Sequence, residues 1–372
     1  MNPLPLKMLV CAFLLHSPVH MLTALAGHES LRVGAIRWDA WYGEVGPVEH
    51  VEHSLGQPKY HFRLPWFASL GADGKVGING DSEAIMKAEL NYAAEAGLDY
   101  WAFLDYGPGS PMTRALDRYL AVEDKCGVSY CFIEEGGQID ARGAEDWPRV
   151  IEQFKNPHYV RVLDGRPLLF VFERPKKHGR EIFDDLRRRT VAAGLKEPYL
   201  VLMGWDASEH RAAFGFDAVS EYACAGKGYT SDPESYERLT SRHVKEKLWD
   251  KWAREHTPCI TFATAGWDTR PRQERPPPWC TWVTASPDPM PLAEQKPLID
   301  AATATPDQLA VHLRDAIAWT QEHRDLNPAN CLIIYGWNEN DEGGWLIPTL
   351  RPDGKPDVSR IRALGGVLRG AR

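Results

Sequence analysis

Cys331-Leu-Ile-Ile-Tyr-Gly-Trp-Asn-Glu-Asn-Asp-Glu-Gly-Gly-Trp345 joins a short apolar run to an acidic, tryptophan-rich turn. The run Cys331 to Tyr335 is bounded by polar residues, the pattern of a strand buried on both faces. It stops at Gly336. Three carboxylates then follow within four residues, Glu339, Asp341 and Glu342, beside Trp337, Asn338 and Trp345. In a (β/α) barrel the C-terminal end of a strand is where chemistry is placed. Glu339 and Glu342 are three apart, so one helical turn would put both on one face. Close carboxyls with aromatic walls suit glycosidic bond cleavage. The plainer alternative is an acidic turn that caps the next helix.

Seven earlier runs have the same form. Leu31 to Trp38 leads to Asp39, Trp41 and Tyr42; Leu98 to Leu104 leads to Asp105 and Tyr106; Val128 to Ile133 leads to Glu134 and Glu135. Pro167 to Phe172 ends in Glu173, Tyr199 to Met203 in Trp205 and Asp206, Phe216 to Ser220 in Glu221 and Tyr222. Cys259 to Ala263 is followed by Trp267, Asp268 and Arg270. Helical stripes separate these runs. One is capped at Asp81 and stopped at Gly97; another opens at Thr305-Pro-Asp-Gln308, a capping box. Residues 43–80 show no period and read as an excursion over the barrel mouth with a short hairpin. Residues 271–304, rich in Pro, read as a long loop. Alternation favours a parallel sheet with right-handed crossovers, and eight units favour closure into a (β/α)8 TIM barrel with long loops at its C-terminal face. The rival open sheet would need a Gly-rich phosphate turn after a strand, and the sequence has none.

The net charge is -8, against a nucleic-acid or anionic-membrane partner, since both need a basic face. Fourteen Trp and 13 Tyr are a heavy aromatic load, and sugar rings stack on flat aromatic faces. Lys7, the apolar stretch from Met8 to Leu15 and Ala24-Leu25-Ala26 read as a signal peptide over residues 1–26. A single domain over 27–372, soluble, monomeric and secreted or periplasmic, is then expected, with no membrane contact after the signal is removed. Six cysteines remain beyond the signal, an even count that permits disulfides, although Cys131, Cys259 and Cys331 sit in or beside apolar runs as buried hydrophobes do. No C-x-x-C, H-E-x-x-H or H-x-H spacing occurs, so neither a metal site nor a cofactor is expected.

Trp337-Asn-Glu-Asn-Asp-Glu-Gly343 resembles the Trp-Asn-Glu-Trp-x-Glu-Gly motif of WbsX-like proteins and of glycoside hydrolase family 99, the endo-α-mannosidases and mannanases. Gly266 to Arg272, Gly215 to Glu221 and Asn156 to Pro167 are similar to further stretches of that family, in the same order. The resemblance implies a (β/α)8 barrel acting on α-linked glycans, mannose-containing ones among them, without metal. It implies that Glu339 assists attack by the substrate's own 2-hydroxyl, through a 1,2-anhydro sugar, and that Glu342 is the general acid and then the base. The sequence departs from the pattern at Asn340, where Trp is usual, and at Asp341, where family 99 has His. WbsX-like proteins also accompany polysaccharide biosynthesis and are often labelled glycosyltransferases.

The expected site is therefore Glu339 and Glu342 as the catalytic pair. Glu342 should be the protonated one, and Glu339 should be kept ionised by donors such as Asn338 or Arg270. Trp38, Asp39, Tyr42, Asp105, Tyr106, Glu134, Glu135, Trp205, Glu221, Trp267, Asp268, Arg270, Trp337, Asn338 and Trp345 are candidates to bind an oligo- or polysaccharide. For any one aromatic residue among them, core packing is the competing role. A non-catalytic glycan-binding barrel is the function class to set against the hydrolase.

Overall fold

The computed structural model describes residues 30–42, 47–224, 234–280 and 303–371. Eight parallel strands form the sheet: β1 Arg32–Arg37, β2 Tyr100–Leu104, β3 Ser129–Glu135, β4 Arg166–Phe172, β5 Tyr199–Met203, β6 Ala218–Ser220, β7 Thr261–Thr264 and β8 Cys331–Tyr335. Their spatial order is β7-β8-β1-β2-β3-β4-β5-β6. The two ends meet at one parallel bridge, Val219 with Cys259, where Val219 N donates to Pro258 O and Ile260 N to Val219 O, each at 2.9 Å. The sheet is a nearly closed TIM barrel. β2, β5, β7 and β8 are buried along their whole length, which is why they read as unbroken apolar runs.

The helices form the outer layer. Pro306–Glu322 opens with the expected capping box: Gln308 N donates to Thr305 Oγ1 and Thr305 N to Gln308 Oε1. Ser359–Ala371 packs between that helix and Glu83–Ala96, filling the ring where the chain ends. The helix Glu83–Ala96 is capped by Ser82, whose hydroxyl accepts from Ile85 N at 3.1 Å, and not by Asp81. Asp81 instead pairs with Arg114 and Arg118, so its carboxylate is taken by cations before it can cap.

The excursion over residues 43–80 carries the expected hairpin, Ser69–Leu70 with Val76–Gly77, and also a helix, Pro47–Leu55. Val51 and Leu55 are its buried apolar residues, a repeat too short to show a period in sequence. The proline-rich region opens with a short helix, Arg270–Glu274; the rest of that expected loop, residues 281–302, lies outside the described residues, as does the signal-peptide region. Each cysteine from Cys126 to Cys331 is a free thiol, and all but Cys126 are buried, the role expected for Cys131, Cys259 and Cys331. Among the described residues no helix is long and apolar enough to cross a membrane.

Candidate active site

After β8 the chain forms a tight hairpin rather than a helix. Asn338–Glu339 pairs antiparallel with Gly344–Trp345, and Asn340–Glu342 is a single 3₁₀ turn at the tip. The expected one-sided placement of Glu339 and Glu342 holds, by a different route. Gly343 has φ of 83°, and a Cβ there would lie 2.4 Å from Asp268 N. A Cβ on Gly344 would meet the Tyr335 ring at 2.2 Å. Only glycine lets the hairpin close this tightly against the β7 loop and the end of its own strand. Asp268 N donates to Glu342 O at 2.7 Å and locks that approach.

Glu339 and Glu342, 2 % and 8 % exposed, lie at the floor of a cavity of about 600 Å³ at the C-terminal mouth. Trp38, Tyr106, Phe172, Tyr222, Trp267 and Trp279 are its aromatic lining, and Glu135 and Arg272 its other polar groups. Tyr222 Oη donates to Glu339 Oε1 at 2.6 Å, and Tyr335 Oη to Glu342 Oε2 at 2.5 Å. Arg272 donates to Glu342 Oε1, and its Nη2 lies 3.6 Å from Glu339 Oε2. The same guanidinium holds Asp341 through Nε at 2.7 Å and Nη2 at 3.1 Å, and lies against Trp38, 4.6 Å from the ring centre.

Burial raises both carboxyls. Glu339 is pushed well above its usual range, by burial first and then by the charge of Glu342. Glu342 is raised by burial, but the Arg272 cation works against that rise. Arg272 lowers both carboxyls against burial, and each is raised by Asp341 beside it. The cation responsible is Arg272, not Arg270. Arg270 is bound to Asp268 through Nε at 2.7 Å, and Arg63 donates to the same carboxylate through Nη2.

The structure brings together Trp38, Tyr106, Glu135, Trp267, Glu339 and Glu342. Trp38 Nε1 donates to Tyr106 Oη at 3.1 Å, and Tyr106 Oη to Glu135 Oε1 at 3.2 Å. The other candidates sit elsewhere. Asp39, Tyr42 and Trp337 belong to a buried scaffold behind the cavity, centred on Arg37 and Glu89. Arg37 pairs with both acids at 2.7 Å, and Tyr42 Oη and Trp337 Nε1 donate to Glu89. Asn338 ties that scaffold to the site, donating to Asp39 at 3.0 Å and accepting from Trp38 N at 2.9 Å. Trp345 is buried against Arg360, which lies 3.7 Å from its ring centre. Asp105 and Glu134 are buried with Arg142 and Arg149, and Glu134 is pushed well above the usual range by burial and by Asp105. Trp205 and Glu221 line a neighbouring cavity. The two motif departures face away from the main cavity: Asn340 donates to Arg63 O, and Asp341 is held by Arg272.

Sequence reasoning missed Arg272, Phe172, Tyr222, Trp279 and Tyr335 as site residues. For Arg272 a signal was present, a second arginine two residues past Arg270, in a segment already matched to the family.

The family profile described as glycosyltransferase WbsX matches residues 141–355. The chain belongs to the WbsX family. No curated protein sequence matches it. Among solved structures this WbsX chain is similar to a glycoside hydrolase-like protein at 12% identity and TM-score 0.59, covering 91% of this chain and 94% of that one. It is also similar to the family 99 endo-α-mannosidase of Bacteroides thetaiotaomicron, in complex with bis-tris-propane, at 14% identity and TM-score 0.54, covering 92% and 97%. A second structure of that mannosidase gives 15% identity and TM-score 0.51, covering 92% and 98%. The WbsX chain thus shares the barrel of family 99.

Proposed function

We propose that this WbsX protein is an exported, metal-independent glycoside hydrolase that cleaves α-linked glycans, mannose-containing ones among them, with retention of configuration. One arrangement supports the reading: two buried carboxyls, Glu339 and Glu342, both raised by burial, lining an aromatic-walled cavity. In the first step the Glu339 carboxylate takes the proton of the sugar 2-hydroxyl as that oxygen attacks C1. The C1–O bond to the leaving group breaks, and Glu342 gives its proton to the departing oxygen. In the second step water opens the 1,2-anhydro sugar at C1. Glu342 takes the water's proton, and Glu339 returns its proton to O2.

The reaction needs Glu342 protonated and Glu339 ionised, and bound substrate favours that state. A 2-hydroxyl donating to Glu339 favours its ionised form, and a glycosidic oxygen at Glu342, which can only accept, favours the protonated form. Arg272 can keep Asp341 through Nε and Nη2 while Nη1 releases Glu342.

Metal independence is argued from charge. Asp105, Glu134 and Asp146 have ligand atoms within 4.8 Å of one another, but Arg142 and Arg149 already neutralise them. The export proposal rests on the Ala24-Leu25-Ala26 end of the apolar stretch, and the secreted protein should begin at Gly27.

Incubation of purified protein with an extracted glycan pool in the presence of chelator tests the reading. Release of reducing ends, with the initial product retaining its anomeric configuration by NMR, is expected; an inverted product or no release overturns it. A non-catalytic glycan-binding barrel is the second reading, and the grip of Arg272 on Glu342 is the observation that favours it. Glycan binding without release of sugar would select it.

A further inference from the structure

A second cavity, about 580 Å³, adjoins the catalytic one at the barrel mouth. The two share Phe172 and Ala223 as walls, so they lie side by side across those residues. Phe172 is held in that dividing position by stacking on Tyr222, ring centres 4.4 Å apart. The remaining lining comes from the ends of β4, β5 and β6 and from the helical segment Leu239–Trp249.

Its most conspicuous member is Trp205, 69 % exposed just past β5. A tryptophan this exposed at a cavity rim offers a flat face to a ring with axial C–H groups. The polar members are of both kinds. Lys247 is hydrogen-bonded to His243 Nδ1 at 3.2 Å, and His243 Nε2 lies 2.9 Å from Glu234. Lys247 therefore donates to the ring and the ring to Glu234, while Lys247 itself lines the cavity. His243 and Lys247 are four apart on a segment wound as a π-helix, a form that recurs at functional sites. Glu221, 6 % exposed, lies across from them and accepts from Tyr222 N at 3.0 Å. A cationic donor, a carboxyl and an aromatic face together suit the hydroxyls and ring of a neutral sugar. A surface of one sign would suit a charged group instead.

We propose that the second cavity is a sugar-binding subsite beside the catalytic cavity, so that the substrate is an oligosaccharide long enough to occupy both. The proposal rests on the glycan reading of the catalytic cavity. Trp205 stacks on one sugar unit, and Lys247 and Glu221 bind its hydroxyls.

The test is a length-graded ladder of α-linked manno-oligosaccharides, assayed for hydrolysis with wild type and for binding by calorimetry with Glu342→Gln. Wild type is expected to gain about tenfold in kcat/KM between the shortest cleaved member and one that spans both cavities, the scale of one aromatic stacking contact. Trp205→Ala, whose side chain is largely outside the core, should lose that gain, and Lys247→Ala should lose part of it. Equal kcat/KM at every length, or a gain that survives in Trp205→Ala, overturns the subsite and leaves the hydrolase reading standing. Binding that tightens with length and depends on Trp205, without hydrolysis by wild type, upholds the subsite and removes the hydrolase reading. No binding at any length overturns the subsite.

Discussion

Arg272 donates to the Glu342 carboxylate at the floor of the cavity, and the same guanidinium is bound to Asp341. This contact opposes the effect of burial on Glu342. Removing the cation should have two effects. Arg272→Met leaves buried carboxylates uncompensated and should cost about 3–5 kcal/mol in denaturant unfolding. It should also move the alkaline limb of kcat/KM to higher pH, since the largest effect opposing the rise of Glu342 is then gone and only the Tyr335 hydrogen bond still opposes it. Arg272→Lys keeps a charge without the forked grip and should show smaller shifts of both. An unmoved alkaline limb in a folded variant would remove Arg272 from the account.

The two glutamates should separate by leaving group. Glu342→Gln lacks the acid and should lose about a hundredfold to ten-thousandfold on glycans, with an activated aryl glycoside spared in its first step. Glu339→Gln should slow both substrate kinds alike, because the base is needed whatever leaves. No covalent glycosyl-enzyme should be trapped in either. Wild-type turnover by both variants on a confirmed substrate would exclude the pair.

Tyr222 Oη, 2.6 Å from Glu339, favours the ionised carboxylate. Tyr222→Phe keeps the stacking on Phe172 and deletes that donor. The Glu339 carboxyl should then rise further, and the acidic limb of kcat/KM, which reports formation of the base, should move to higher pH. An acidic limb at its wild-type position would show that Glu339 is not the group it reports.

Glu221 tests linkage away from the pair. Burial pushes its carboxyl up to about 8, against about 4.5 for a free side chain. Between those values the native state holds a proton the unfolded chain has lost, so stability falls as pH rises. The slope is at most about 1.4 kcal/mol per pH unit. The contribution is fully present below about 4.5 and gone above about 8. Glu221→Gln should flatten thermal stability across that window and melt above wild type at its upper end. Parallel melting curves for the two proteins would place the Glu221 carboxyl in its ordinary range.

The sequence by itself determined the barrel and the end of it that carries the candidate site. A parallel strand buried on both faces must be apolar throughout, so each of the eight strands announces itself within a few residues, and the acids and aromatics after it mark the mouth. Glu339, Glu342, Trp38, Tyr106, Glu135 and Trp267 were legible for that reason. Tertiary structure alone decided which of the marked residues face the cavity. Trp337 and Trp38 both follow strand ends, yet one is sealed against Glu89 and the other lines the site. It also decided that Arg272, rather than Arg270, reaches the glutamates, because the turn that binds Arg270 to Asp268 is the one that aims Arg272 inward. Spacing along the chain records what can be near. Side-chain direction is set by partners hundreds of residues away, such as Arg37 and Glu89 behind the β8 hairpin.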